Sequence, residues 1–137
     1  MSTLSALLAD KAGPYLARVA GEARPVSYLT QAKKAEFEKW LKANAVAAVV
    51  EMRASMPPDV WQELYRVVIQ DLAGKAYSFH GAVSQAALRG AAGALAFAAI
   101  LFGVTEEVMM GLMERDADGV KAALDVVLAD STPSPNG

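Results

Sequence analysis

The sequence predicts an all-α fold: a single compact domain over residues 1–130 with five to six helices around an apolar, Ala/Gly-rich central helix. Three observations carry this. Alanine supplies 28 of 137 residues against 4 Phe, 4 Tyr and 2 Trp, a balance that favours closely approaching helices over a sandwich of branched and aromatic strands. Apolar side chains recur at spacings of three and four along most of the chain, the period of a helix with one buried face. Apolar residues make up 54% and charged residues 20%, enough to build a core and too apolar for wholesale disorder.

Taken in order, Thr3–Lys11 places Leu4, Leu7 and Leu8 at helical spacing, and Gly13-Pro14 ends that helix. Residues 15–29 allow two readings. Pro14 can open a second helical piece, or Tyr15–Val19 and Pro25–Leu29 can pair as a small hairpin around Gly21-Glu22; Val, Tyr and Thr lean toward the hairpin. Thr30 then caps a long amphipathic helix reaching about Ser55, with Phe37, Trp40, Leu41, Ala45, Ala48, Val49 and Met52 as its stripe. Met56-Pro57-Pro58 stops it, since proline lacks the amide hydrogen and disfavours helix in the preceding residue. Asp59 and Gln62 read as a capping box for a helix over Val60–Ala73, and Gly74 as its C-terminal cap.

Ala82–Gly103 is the predicted central helix, apolar on nearly every face. Thr105 caps the next, Glu106–Glu114, which carries Val108, Met109, Leu112 and Met113. Either Asp116 or Asp118 caps the last, with Val120, Ala123, Leu124, Val127 and Leu128 as its stripe. The tail Ser131–Gly137 holds two prolines and no large apolar group, and reads as flexible.

Composition excludes several function classes. Without cysteine, and with one histidine, the chain has no disulfide, thiolate zinc site or cysteine nucleophile. A net charge of −2 and a pI near 5.4 argue against a nucleic-acid footprint. The charge is uneven: residues 1–58 carry eight basic and five acidic groups, residues 59–137 five and ten. That division is either surface scatter or the attraction between neighbouring copies stacked head to tail. The uncharged run Gly90–Val104 spans only about 22 Å as a helix, short of the roughly 30 Å hydrocarbon layer. The N-terminus lacks a basic region and a long apolar run, so the expectation is a cytoplasmic protein without a membrane span.

No catalytic constellation emerges. His80 has no acidic residue within eight positions, Glu106-Glu107 suit a helix start, and Glu114, Asp116 and Asp118 lack the remaining ligands of a calcium loop. Gly90 and Gly93 flank two alanines without the strand and Lys-Ser/Thr of a phosphate loop. They instead let another helix approach closely, either within the chain or from a second copy. The expectation is therefore a non-enzymatic protein with no cofactor, metal, nucleic acid or small-molecule substrate. Met109, Met110 and Met113 cluster within five residues, and flexible thioethers suit surfaces that receive varied apolar partners. Together with Trp40 and Trp61 they are the candidate partner-binding residues.

The order of features resembles a known family. Val26-Ser27-Tyr28-Leu29-Thr30 precedes a helix with Glu36-Phe37 and Trp40-Leu41; the small-residue helix around Gly90–Phe102 follows, then the Thr105-Glu106-Glu107-Val108 start and the tail Ser134-Pro135-Asn136-Gly137. This layout, from Val26 onward, is similar to small tail assembly chaperone-like proteins of tailed bacteriophages. The resemblance implies a homo-oligomer in the host cytoplasm that shields a long helical tape measure protein until the tail tube assembles around it. It supplies no signature residues. Two alternatives stand beside it: a small helical structural protein of the phage particle, such as a connector or decoration subunit, and a bacterial helical module that binds a partner protein.

Overall fold

A computed structural model describes residues 14–131; the predicted helix over Thr3–Lys11 and the tail beyond Ser131 lie outside them. The described residues are predominantly helical, with five α-helices and one two-stranded antiparallel hairpin. They form two compact units. One combines the residues up to Lys34 with those from Leu95 onward, and the other is Ala35–Ala94.

In the first unit, β1 (Tyr15–Val19) pairs with β2 (Glu22–Val26) in the register Tyr15↔Val26 and Val19↔Glu22. The hairpin reading is correct, but the second strand lies three residues earlier than Pro25–Leu29. The cause is the turn. Ala20 and Gly21 adopt φ of 53° and 80°, and a two-residue turn with both φ positive matches the strand twist and sets the register. Ala17, Val19 and Val26 are buried while Leu16 is exposed, so one face of the ribbon is apolar. Pro25 is tolerated because a two-stranded sheet asks for no further pairing.

That face packs on α5 (Glu106–Ser131). Thr105 caps α5 as predicted, its Oγ1 accepting the Val108 N–H at 3.2 Å. The two helices expected on either side of residue 115 are joined with a single non-helical residue between them, Asp116 (φ −157°, ψ 67°). Asp116 is the cap of the second segment, its Oδ1 accepting the Gly119 N–H at 2.9 Å. Val120, Ala123 and Val127 are buried as the stripe requires.

Helix α1 (Gln31–Glu51) starts in the first unit at its Thr30 cap, where Oγ1 accepts the Lys33 N–H at 3.2 Å, and continues into the second from Ala35 onward. It buries Phe37, Leu41 and Val49 and tightens into a 3₁₀ turn over Met52–Ser55 before the prolines. Helix α2 (Pro58–Leu72) starts on Pro58, with Pro57 at the cap position and no side-chain cap. The Asp59/Gln62 capping box is therefore not the start signal. Proline's fixed φ is already helical and its missing N–H costs nothing in a first turn. Gly74 follows α2 with extended rather than left-handed backbone (φ −80°, ψ 163°).

The predicted central helix is two helices. α3 (Ala82–Arg89) and α4 (Ala91–Phe102) meet at Gly90, whose backbone is extended (φ −86°, ψ 158°), and the chain bends there by 112°. The close approach expected of the Gly-Ala-Ala-Gly run is between these halves. A Cβ on Gly93 would lie 2.0 Å from the Ala87 carbonyl oxygen, so the corner closes only around a residue without a side chain. No single helix among the described residues is long and apolar enough to cross a membrane.

Candidate functional site

Within the Ala35–Ala94 unit, an open groove of about 470 Å³ runs between α1 and the α3–α4 corner. Trp40, Leu41 and Ala45 form one side, and Tyr77, Val83 and Ala87 the other. The sequence places Trp40 there for a definite reason. Phe37, one turn earlier, is fully buried, and its ring stacks on Trp40 at 5.5 Å and 21°. Phe37 is also met edge-on by Phe79, 6.0 Å away at 79°, so the indole rests on an aromatic floor while one side stays open. Asn44 spends an amide hydrogen on the Trp40 carbonyl at 2.9 Å, and the groove's remaining walls are mostly Ala, Gly, Leu and Val.

The second tryptophan does something else. Trp61 Nε1 donates to the Val49 carbonyl at 2.7 Å, in the last turn of α1. Its ring stacks on Tyr65 at 5.1 Å, and the Arg53 guanidinium sits 5.1 Å from its centroid. Trp61 thus ties the start of α2 to the end of α1. Beyond that tie α2 is thinly covered: none of its fifteen residues is buried, and Val60, Val67 and Ile69 are exposed.

The three methionines lie in the other unit and separate on α5. Met109 is fully buried, whereas Met110 and Met113 are 51% and 41% exposed. Helical geometry explains the split, since Met109 shares the inward stripe with Leu112. Only Met110 and Met113 are available to a partner.

No protein-family model, curated protein or solved structure matches this chain.

The chemistry of the described residues is that of packing and capping. No group of three or more His, Cys, Asp or Glu among them could hold a metal ion. One carboxylate stands apart. Asp116 Oδ2 accepts the Ala20 N–H from the hairpin turn at 2.9 Å while Oδ1 holds the Gly119 N–H. These two bonds, the Ala20 amide foremost, hold the carboxyl below its ordinary value. A carboxyl depressed in the folded state contributes stability above its unfolded value of about 3.9, and that contribution disappears as pH falls through the folded value. Asp116→Asn is expected to melt below the parent at pH 7, with the gap narrowing as the pH is taken below about 4. A gap independent of pH would show that the charged form is not what the two amides bind.

Sequence reasoning located Trp40 but not the wall opposite it. The signal for that wall was the Gly-Ala-Ala-Gly run. Its glycines mark a corner, and the corner creates the groove.

Proposed function

We propose that this protein is a non-enzymatic helix-binding protein that shields an apolar helical segment of another chain in the host cytoplasm, as a tail assembly chaperone shields a tape measure protein. The observation that carries the reading is the groove beside Trp40. Its floor is aromatic, its walls are small, and its few polar groups include an amide already engaged with its own helix. A groove of that kind accepts the apolar face of an amphipathic helix and asks for little sequence identity in return. The exposed Met110 and Met113 offer a second adaptable surface for the same class of client.

The test uses a synthetic 20-residue helix with a Leu/Ala stripe as the client. Trp40 emission, isolated in the Trp61→Phe variant, should shift to the blue on titration, and Ala45→Glu should weaken binding at least about tenfold, or 1.4 kcal/mol. Unchanged affinity in Ala45→Glu would remove the groove from the reading. Mass spectrometry of purified particles separates the two phage roles: a chaperone is absent from mature particles, and a structural subunit is present in stoichiometric amount.

A further inference from the structure

The hairpin is tied to its unit at both ends. Just past its base, the Ser27 N–H donates to the Leu101 carbonyl at 2.7 Å. At its tip, the Ala20 N–H donates to Asp116 Oδ2 at 2.9 Å, the one hydrogen bond among the described residues that joins the hairpin to α5. Both partners of the tip bond hold backbone that their surroundings do not favour. Ala20 has φ 53°, in the left-handed region that disfavours a residue with a Cβ. Asp116 interrupts a helix that runs on either side of it.

Gly119 completes the arrangement. It lies outside the left-handed region, so its backbone does not demand glycine, and glycine is a weak helix former. A Cβ there, however, would lie 2.2 Å from Asp116 Oδ2 and 2.7 Å from Asp116 Cγ. The carboxylate occupies the space that an alanine would need. On the same helix, a Cβ on Gly111 would meet nothing within 4 Å.

We infer that the Asp116 side chain, seated on Gly119, is a latch that makes the hairpin and the break in α5 a single two-state element. With the carboxylate seated, the hairpin tip is held on α5 and the helix is interrupted. With it withdrawn, Ala20 leaves the left-handed region, residue 116 joins the helix, and the hairpin swings on its base. Ala17 and Val19, buried in the latched state, are then uncovered. Each side of the latch relaxes when the other does, which gives two discrete arrangements and not a continuum of bends. The latch lies outside the groove-bearing unit, and the inference does not rest on the helix-binding reading.

NMR of the full chain tests the coupling with Gly119→Ala, which leaves Asp116 and the hairpin chemically intact. The added methyl group displaces the carboxylate, the mobile end of its side chain, while alanine favours the continuous helix. Exchange of the Ala20 amide should quicken at least about tenfold, as the loss of a hydrogen bond to a charged acceptor allows. The Cα shift of Asp116 should move from the extended to the helical side. Asp116→Ala should release the Ala20 amide to the same extent, and Gly111→Ala, a like gain in helix preference on the same helix, should change neither signal. Slow Ala20 exchange retained in Gly119→Ala, or the same release in Gly111→Ala, would overturn the inference by freeing the tip bond from its seat. Ala20 released with Asp116 still extended would overturn it by separating the two events. A Gly119→Ala chain that loses its fold would do so by making the carboxylate a fixed structural cap.

Discussion

Phe37→Ala is expected to destabilise the protein by about 3–5 kcal/mol, the usual loss for removing a buried phenylalanine ring. The ring is fully buried and is one of only three buried residues on α1. Its stacking on Trp40 and its edge contact with Phe79 add to the area it removes from water. Against a total stability of about 5–15 kcal/mol, that is a large fraction. The same change removes the floor under Trp40, so thermal melting and Trp40 emission should move together. Phe37→Leu keeps most of the volume and is expected to lose far less. A melting temperature unchanged in Phe37→Ala would mean that the ring is not part of the core.

Gly93→Ala is the second large effect, expected at about 1–3 kcal/mol from overpacking. The added Cβ would lie 2.0 Å from the Ala87 oxygen and 2.5 Å from its carbonyl carbon. Those atoms are backbone and cannot rotate aside, so the corner between α3 and α4 must open. Gly90→Ala is the matched control, because its Cβ would meet the same oxygen at 3.5 Å, an ordinary contact. Melting should therefore fall in Gly93→Ala and stay near the parent in Gly90→Ala. Equal effects at the two positions would mean that helix propensity at the break, and not the close approach, governs stability here. Because the corner forms one side of the groove, Gly93→Ala should also weaken binding of the Leu/Ala-striped test helix if the proposed helix-binding role holds.

Much of the fold was legible because the signals were local. Thr30 and Thr105 cap helices with their own side chains, and the stripe through Val120, Ala123 and Val127 is read directly from spacing. The break at Gly90 was not legible. An apolar run of Ala and Gly is equally compatible with one straight helix or two bent ones, and the deciding contact is with the Ala87 backbone, which hydrophobic periodicity does not encode. The β2 shift has a similar origin, since only the positive φ at Ala20 reveals where the turn lies. Asp116 was half legible. Its cap to Gly119 follows from sequence, whereas its bond to Ala20 joins residues 96 positions apart. Of the candidate binding residues, Trp40 lines the groove, Trp61 clamps two helices and Met109 fills core. All three are large apolar residues on helical stripes, and composition alone cannot assign them different duties.

That long-range bond bears on the order in which the protein matures on the ribosome. The Ala35–Ala94 unit is one uninterrupted stretch, whereas the other unit is assembled from residues on both sides of it. The contiguous stretch is complete in the growing chain once Ala94 has been added. The hairpin turn is synthesised early, yet the acceptor for its Ala20 amide arrives only with Asp116. The stretch that bears the groove is thus fully synthesised before the acceptor that secures the hairpin turn exists.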